Sequence, residues 1–174
     1  VMADEGIRFD ASLDKLAGLN PVTEGGVITA GNASQITDGA AAVMVCNDAG
    51  IKKIQANPRA EIISISVVGD DPVFMLTGPI PASIQALKTA NLTIDDMDLY
   101  EVNEAFAPVP LAWAEDLKAD KSKLNVNGGA MALGHPLGAT GANLMTTLLH
   151  EMERRESTYG LQAICEGGGT ANAT

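Results

Sequence analysis

The sequence predicts an α/β fold, on three observations. Short apolar strand candidates alternate with helix candidates along the chain, and Gly, Pro and Asn punctuate the joints between them. A glycine-dense loop over residues 125–142 then joins a strand candidate to an amphipathic helix, which is the construction of an α/β junction.

Residues 1–26 are polar, broken by Asn20-Pro21 and Gly25-Gly26, and have no sustained apolar period, so they form a lead-in rather than a core element. The remainder, residues 27–174, forms the domain proper. It opens with a small-residue turn at 31–34 and a polar step at Thr37-Asp38-Gly39. The run from Ala40 to Val45 follows, apolar throughout and of strand length. Cys46 closes that run and reads as a small buried hydrophobe. A short helix is expected over 48–56, ending at Asn57-Pro58, and a strand over 62–69. The loop 70–79 carries Phe74, Met75 and Leu76 among its prolines, so it either walls a ligand or packs down onto the core.

Pro81 opens a helix over 82–90 that turns Ile84 and Leu87 inward and stops at Asn91. Residues 99–102 form a strand, and NEAFA follows it directly from Asn103. Pro108 and Pro110 cannot sit in a helix interior, so the next helix starts near Ala107 with Pro108 in its first turn. Asn103 to Phe106 is thereby held at the carboxyl end of a strand, where open α/β sheets bind ligands, although for Asn103 taken alone a capping role is the expected one. Residues 124–127 form a short strand before the glycine loop. Beyond it, Ala142, Met145, Leu148, Leu149 and Met152 recur at helical spacing as far as Arg154-Arg155. His150 lies inside that helix as a solvated or core-edge residue. The last strand covers 160–165 and ends on Cys165, followed by Glu166 and three glycines.

Composition bounds the function. A chain of 174 residues with 46% hydrophobic content supports one domain, burying about 70% of the surface its unfolded chain would expose. A net charge of -11 excludes non-specific nucleic-acid binding and attraction to anionic membranes, both of which need clustered Lys and Arg. The two cysteines, Cys46 and Cys165, are far apart, and no signal peptide or long apolar run is present. A reduced, cytoplasmic setting is expected. Both ends read as cut from a longer protein, and no internal repeat appears.

In the glycine loop Pro136 restricts His135 to extended backbone, and Gly128, Gly129, Gly134, Gly138 and Gly141 permit tight approach around it. The free N–H groups and dipole of the following helix favour an anionic or oxyanionic atom beside the imidazole. A catalytic loop and a glycine turn whose histidine caps local backbone both fit this pattern. At Cys165, the three glycines that follow expose backbone N–H groups beside the sulfur.

Four segments together, TAGNAS at 29–34, NEAFA at 103–107, NVNGGAMALGHPLGATGA at 125–142 and CEGGG at 165–169, resemble the thiolase family, specifically its C-terminal half; DDPVFMLTGPIPAS at 70–83 matches too. The resemblance implies a thiolase-like α/β fold, a mixed five-stranded sheet with helices on both faces, as one half of a duplicated sandwich. It implies CoA-dependent acyl transfer through a covalent acyl-cysteine, with coenzyme A as a substrate, no permanently bound cofactor and no metal.

It also implies residue roles. His135 matches the histidine that activates the nucleophilic cysteine and helps bind a thioester oxygen. Asn103 matches the asparagine that holds a water in that oxyanion site, and Cys165 the cysteine that moves the proton at the substrate α-carbon or leaving thiol. The Gly167 backbone matches part of the second oxyanion site. Ser34, Phe106 and Met75 fall where the family lines its pantetheine and acyl pocket. Ala171 departs from the family's final glycine, which is tolerated if its φ is negative. The family's nucleophilic cysteine and its basic loop for the CoA phosphates belong to the N-terminal half, which becomes an implied partner, and the full-length family assembles as homodimers or homotetramers. Cys46 has the wrong setting to replace the nucleophile. A thiolase-like binding module without chemistry would not need His135, Cys165 and Asn103 together. A β-ketoacyl synthase would carry a second histidine where Cys165 stands.

Overall fold

The computed structural model describes residues 2–174. In chain order the elements are α1 (Leu13–Ala17), α2 (Asp48–Ile54), β1 (Ser66–Gly69), α3 (Pro79–Ala90), β2 (Leu99–Val102), α4 (Pro108–Leu117), α5 (Ala130–Leu133), α6 (Thr140–Arg155), β3 (Gly160–Cys165) and β4 (Thr170–Ala173). The four strands form one mixed sheet in the order β1-β4-β3-β2. β2 runs parallel to β3, while β4 is antiparallel to both β3 and β1. The α3 helix packs across β1, β3 and β4 and touches α4, whereas α6 lies against β2 and β3. Helices therefore cover both faces, and β2 is buried along its whole length, as a strand enclosed by helices must be.

Strand alternation sorts the side chains between the two faces. Tyr100, Val102, Leu161, Ala163 and Cys165 join Ala82, Ala86 and Leu87 of α3 and Val109, Trp113 and Ala114 of α4 in the main hydrophobic cluster. Gln162 and Ile164 instead reach toward Gly141 of α6. Small residues at the α3–sheet contact set its closeness: a Cβ on Gly78 would lie 2.7 Å from the Cβ of Ala171. Ala171 itself sits in β4 opposite Val68 and Cys165, in extended backbone that needs no glycine.

The sheet has four strands, not the five expected. Residues 124–127 do not form a strand: Leu124 makes a single parallel bridge to Tyr100 and the chain then turns left-handed at Asn125 (φ 46°). The Asn125 side chain replaces the missing strand, accepting from Val102 N and donating to Val102 O, both at 2.9 Å, and so satisfies the edge of β2 that a fifth strand would have paired. The apolar run 40–45 is also not a strand. It has no neighbour to pair with among the described residues, and Met44 and Val45 are exposed, as are Ile63 and Ile65 in the coil that precedes β1. Cys46 is accordingly half-buried next to α2 rather than sealed in a sheet.

Elsewhere the differences are small, except that Ile84, expected to face inward on α3, is 54% exposed while Leu87 is buried. The short helix stops at Ile54, and β1 starts only at Ser66. Helix α3 starts at Pro79, because proline at the first positions of a helix forfeits no hydrogen bond. The lead-in contains α1, capped by Ser12 but with no buried residue. His150 is exposed and reaches only the Thr146 carbonyl of its own helix. Among the described residues no helix is long and apolar enough to cross a membrane.

Candidate active site

β2 ends at Val102, and the next residue, Asn103, continues the ladder by donating its backbone N–H to Ala163 O at 2.9 Å. Its side chain is fully buried. The amide nitrogen Nδ2 meets His135 Nε2 at 3.4 Å, while Oδ1 has no donor from the protein. A buried amide oxygen left in that condition is equipped to accept from a water or from a substrate group.

His135 is fixed from both ends of its ring. Its Nδ1 lies 2.7 Å from Thr140 Oγ1, and the Thr140 hydroxyl donates to Pro136 O at 3.0 Å, so the hydroxyl oxygen is the acceptor from the imidazole. That network assigns the Nδ1–H tautomer and leaves the Nε2 lone pair facing Asn103. Burial pulls the His135 pKa below its ordinary value, which favours the neutral ring. The loop around it is held by backbone. His135 N donates to Gln35 O at 2.8 Å, and Gly134 (φ 90°) passes so close to Thr37 that a Cβ would lie 2.4 Å from its hydroxyl. Pro136 is pressed against Gly39 in the same way. Of the loop's glycines, Gly129 and Gly134 serve close approach, whereas a Cβ on Gly138 would meet nothing within 4 Å.

Segment 32–35 clips the two motifs together. Ser34 donates from N and Oγ to Ala105 O at 3.0 and 2.9 Å, Ala107 N donates to Asn32 O at 2.9 Å, and Ala33 bridges Phe106. Ser34 is thereby held to the segment that carries Phe106, and an open cleft of about 410 Å³ lies between residues 37–41 and 136–139.

Glu104 supplies the floor. Its buried carboxylate accepts from Asn125 Nδ2 at 2.8 Å and from Met131 N at 3.1 Å, and a Cβ on Gly129 would fall 2.2 Å from its carboxyl carbon.

Cys165 ends β3, the strand paired with β2, so it lies at the same carboxyl edge as Asn103. Its side chain alternates onto the α3/α4 face, and among the described residues no hydrogen bond joins its sulfur to Asn103 or His135. Burial, with Glu166 beside it, pushes the thiol pKa up, so the resting form is the protonated thiol. The Gly167–Gly169 turn that follows is exposed at Gly167 and left-handed at Gly168 and Gly169 (φ 76° and 83°). Met75 from loop 70–78 leans onto this turn, its sulfur 3.4 Å from Gly168 N, and Asp70 N donates to Gly169 O at 2.6 Å. In that loop Leu76 packs on the core, as one of the two expectations had it, while Phe74 stays exposed.

The structure therefore joins Asn103 with His135, Ser34 with Ala105 next to Phe106, and Met75 with the glycine turn. Cys165 is brought to the same rim without contact. Sequence reading missed Thr140, Gln35 and Glu104. A threonine five residues after the histidine, at the start of the helix, was the available signal for Thr140.

Residues 56–174 match the family described as thiolase, C-terminal domain, and residues 1–49 match thiolase, N-terminal domain. The chain belongs to the thiolase family. A steroid 3-ketoacyl-CoA thiolase of Mycobacterium tuberculosis is 59% identical over 171 residues, covering 98% of this chain and 42% of the relative. An acetyl-CoA acetyltransferase of Cupriavidus necator is 49% identical over 167 residues, covering 95% of this chain and 42% of its own length. The crystal structure of human mitochondrial 3-ketoacyl-CoA thiolase superposes with a TM-score of 0.89 at 45% identity, over 98% of this chain and 43% of the human one. The thiolase chain described here thus spans little more than two fifths of the length of such relatives.

Proposed function

We propose that this thiolase chain is the proton-handling half of a CoA-dependent acyltransferase that condenses acyl-CoA or cleaves β-ketoacyl-CoA. The observation that carries the reading is the Thr140–His135–Asn103 relay, a neutral imidazole with a defined tautomer next to a buried amide oxygen that lacks a donor. The acyl group is carried by a nucleophilic cysteine from a thiolase N-terminal half, since neither cysteine here has the setting of a nucleophile: Cys46 is half-buried against Gly50 of α2 and Cys165 is a raised-pKa thiol.

In condensation, Cys165 first gives its thiol proton to the CoA thiolate that leaves as the partner's cysteine is acylated; the Cys165 thiolate so formed then removes an α-proton from acetyl-CoA and becomes the thiol again. The resulting enolate carbon attacks the acyl-cysteine carbonyl, and the tetrahedral intermediate collapses by expelling the cysteine thiolate, which takes back the proton that His135 Nε2 accepted when the cysteine was acylated. In thiolysis the sequence reverses, and the Cys165 thiol returns its proton to the departing α-carbon. The oxygen that gains charge is met at one site by His135, whose Nε2 carries the proton taken from the nucleophilic cysteine, with the water held on Asn103, and by the Gly167 backbone N–H at the other. Ser34, Phe106 and Met75 border the pantetheine and acyl chain. CoA is a substrate, and no group is bound permanently.

The exposed apolar side chains of 43–45 and 62–65 are where the N-terminal half would pack, and its Lys and Arg would meet the CoA phosphates that this acidic chain repels. The assembled enzyme would be a homodimer or homotetramer in the cytoplasm. The test is turnover. The isolated chain is expected to show no acetoacetyl-CoA cleavage, and mixing it with a cysteine-bearing thiolase N-terminal half is expected to restore activity. Cleavage by the isolated chain would overturn the assignment.

A further inference from the structure

The middle of β2 carries a carboxyl group in a place that does not suit a charge. Glu101 is 1% exposed and its Oε2 has no donor. Its partner across the parallel ladder is Gln162 of β3, 4% exposed, whose Oε1 is also without a donor. Directly paired residues on neighbouring strands lie about 5 Å apart at their backbones, so two buried acceptor oxygens, neither with a donor, are carried by adjacent side chains of the ladder. Such an arrangement is costly unless one of the two groups brings a proton.

The charges around Glu101 cannot supply a partner. Glu151 of α6 faces it, but that carboxylate is already engaged by Arg154, Arg155 and Asn127, which hold its pKa down at about 2. Glu104 is a second carboxylate, held by Asn125 and Met131 N. On the remainder of α6, Glu153 pairs with Arg59 and His150 is exposed. Helix α5 has no ionisable side chain, and Cys165 of β3 lies on the opposite face of the sheet.

We propose that Glu101 is a neutral carboxylic acid at neutral pH and donates Oε2–H to Gln162 Oε1, forming a buried acid–amide clasp that ties β2 to β3 beneath α6. Glu101 is thereby a positioning residue. The clasp lies two residues before Asn103, whose backbone bond to Ala163 O continues the same ladder, so it holds the register that delivers the Asn103 amide to His135. Burial, reinforced by Glu104 and Glu151, pushes the Glu101 pKa up to about 8. This raised value sets the sign of the pH effect. From its ordinary pKa of 4.5 up to about 8 the folded chain retains a proton that the unfolded chain has released, so stability falls as pH rises through that window.

The test is infrared spectroscopy of the 174-residue chain, with thermal melts at several pH values. At pH 7 a protonated-carboxyl carbonyl band is expected that titrates away with a midpoint near 8 and is absent in Glu101→Gln. That variant keeps a donor toward Gln162 but has no titratable proton. Its melting temperature should lack the fall of about 5 °C that the parent chain shows between pH 6.5 and 8, a window clear of the His135 and Cys165 shifts. In Gln162→Leu, which removes the acceptor and keeps Glu101, the acid band should shift. Absence of an acid band at pH 7, with Gln162 turned to offer its Nε2–H to an ionised Glu101, would overturn the proposal. So would a band that survives Glu101→Gln or ignores Gln162→Leu.

Discussion

Replacing His135 with alanine in the chain assembled with its proposed N-terminal half is expected to lower kcat by about 10²–10⁴-fold, the range lost when a positioned general acid–base group is removed. The size follows from how many tasks converge on one ring. Its Nε2 faces Asn103, where the relay would meet a reacting oxygen, and its Nδ1 is held by Thr140. Thr140→Val keeps the shape of that residue but removes the hydroxyl that selects the tautomer. A smaller fall in kcat with little change in KM is expected there, because the ring remains in place and loses only its orientation. Steady-state kinetics of both variants check the account. An alanine variant with near-normal kcat would show that the ring is only a structural cap.

Trp113→Ala is expected to cost about 3–5 kcal/mol of folding stability, the largest loss from any single side chain of the core. Trp113 is fully buried on α4. Its ring stands edge-on to Tyr100 at 5.2 Å between centroids, and its Nε1 donates to Ser83 Oγ at 2.8 Å. One residue thus connects β2, α3 and α4, and its removal leaves a cavity and strips the fully buried Ser83 hydroxyl of its donor. Trp113→Phe should lose less, since it keeps most of the ring and gives up only the hydrogen bond and some volume. Urea unfolding monitored by circular dichroism measures both. A loss below about 1 kcal/mol for the alanine variant would mean that the site collapses without a cavity.

Much of this fold was legible because its elements obey local rules. β2 and β3 are short runs ending on recognisable junctions, and the start of α4 is dictated by Pro108. What was not legible depends on partners distant in sequence. β4 is built of Thr170, Ala171, Asn172 and Ala173, small and polar residues with no strand pattern of their own, and becomes a strand because β1 and β3 flank it. The run 40–45 has the opposite history: apolar enough for a strand, it stays as coil because nothing pairs with it among the described residues. At 124–127 the side chain of Asn125 does the work of strand backbone, which periodicity does not encode.

At the site, His135 and Asn103 were visible from their motifs, since glycines and prolines around them declare a constrained backbone. Thr140 was hidden because a threonine in a first helical turn more often caps its own helix. Here its hydroxyl donates back to Pro136 and accepts from the imidazole instead. Gln35 contributes only its carbonyl, and a backbone contact leaves no mark on side-chain identity.

The division of labour between two cysteines is tested most directly by mapping the acyl group. After the chain is mixed with a cysteine-bearing N-terminal thiolase half and acetyl-CoA, peptide mass spectrometry should find the acetyl thioester on the partner's cysteine and none on Cys165 or Cys46. A stable acetyl thioester on either cysteine of this chain would contradict the account.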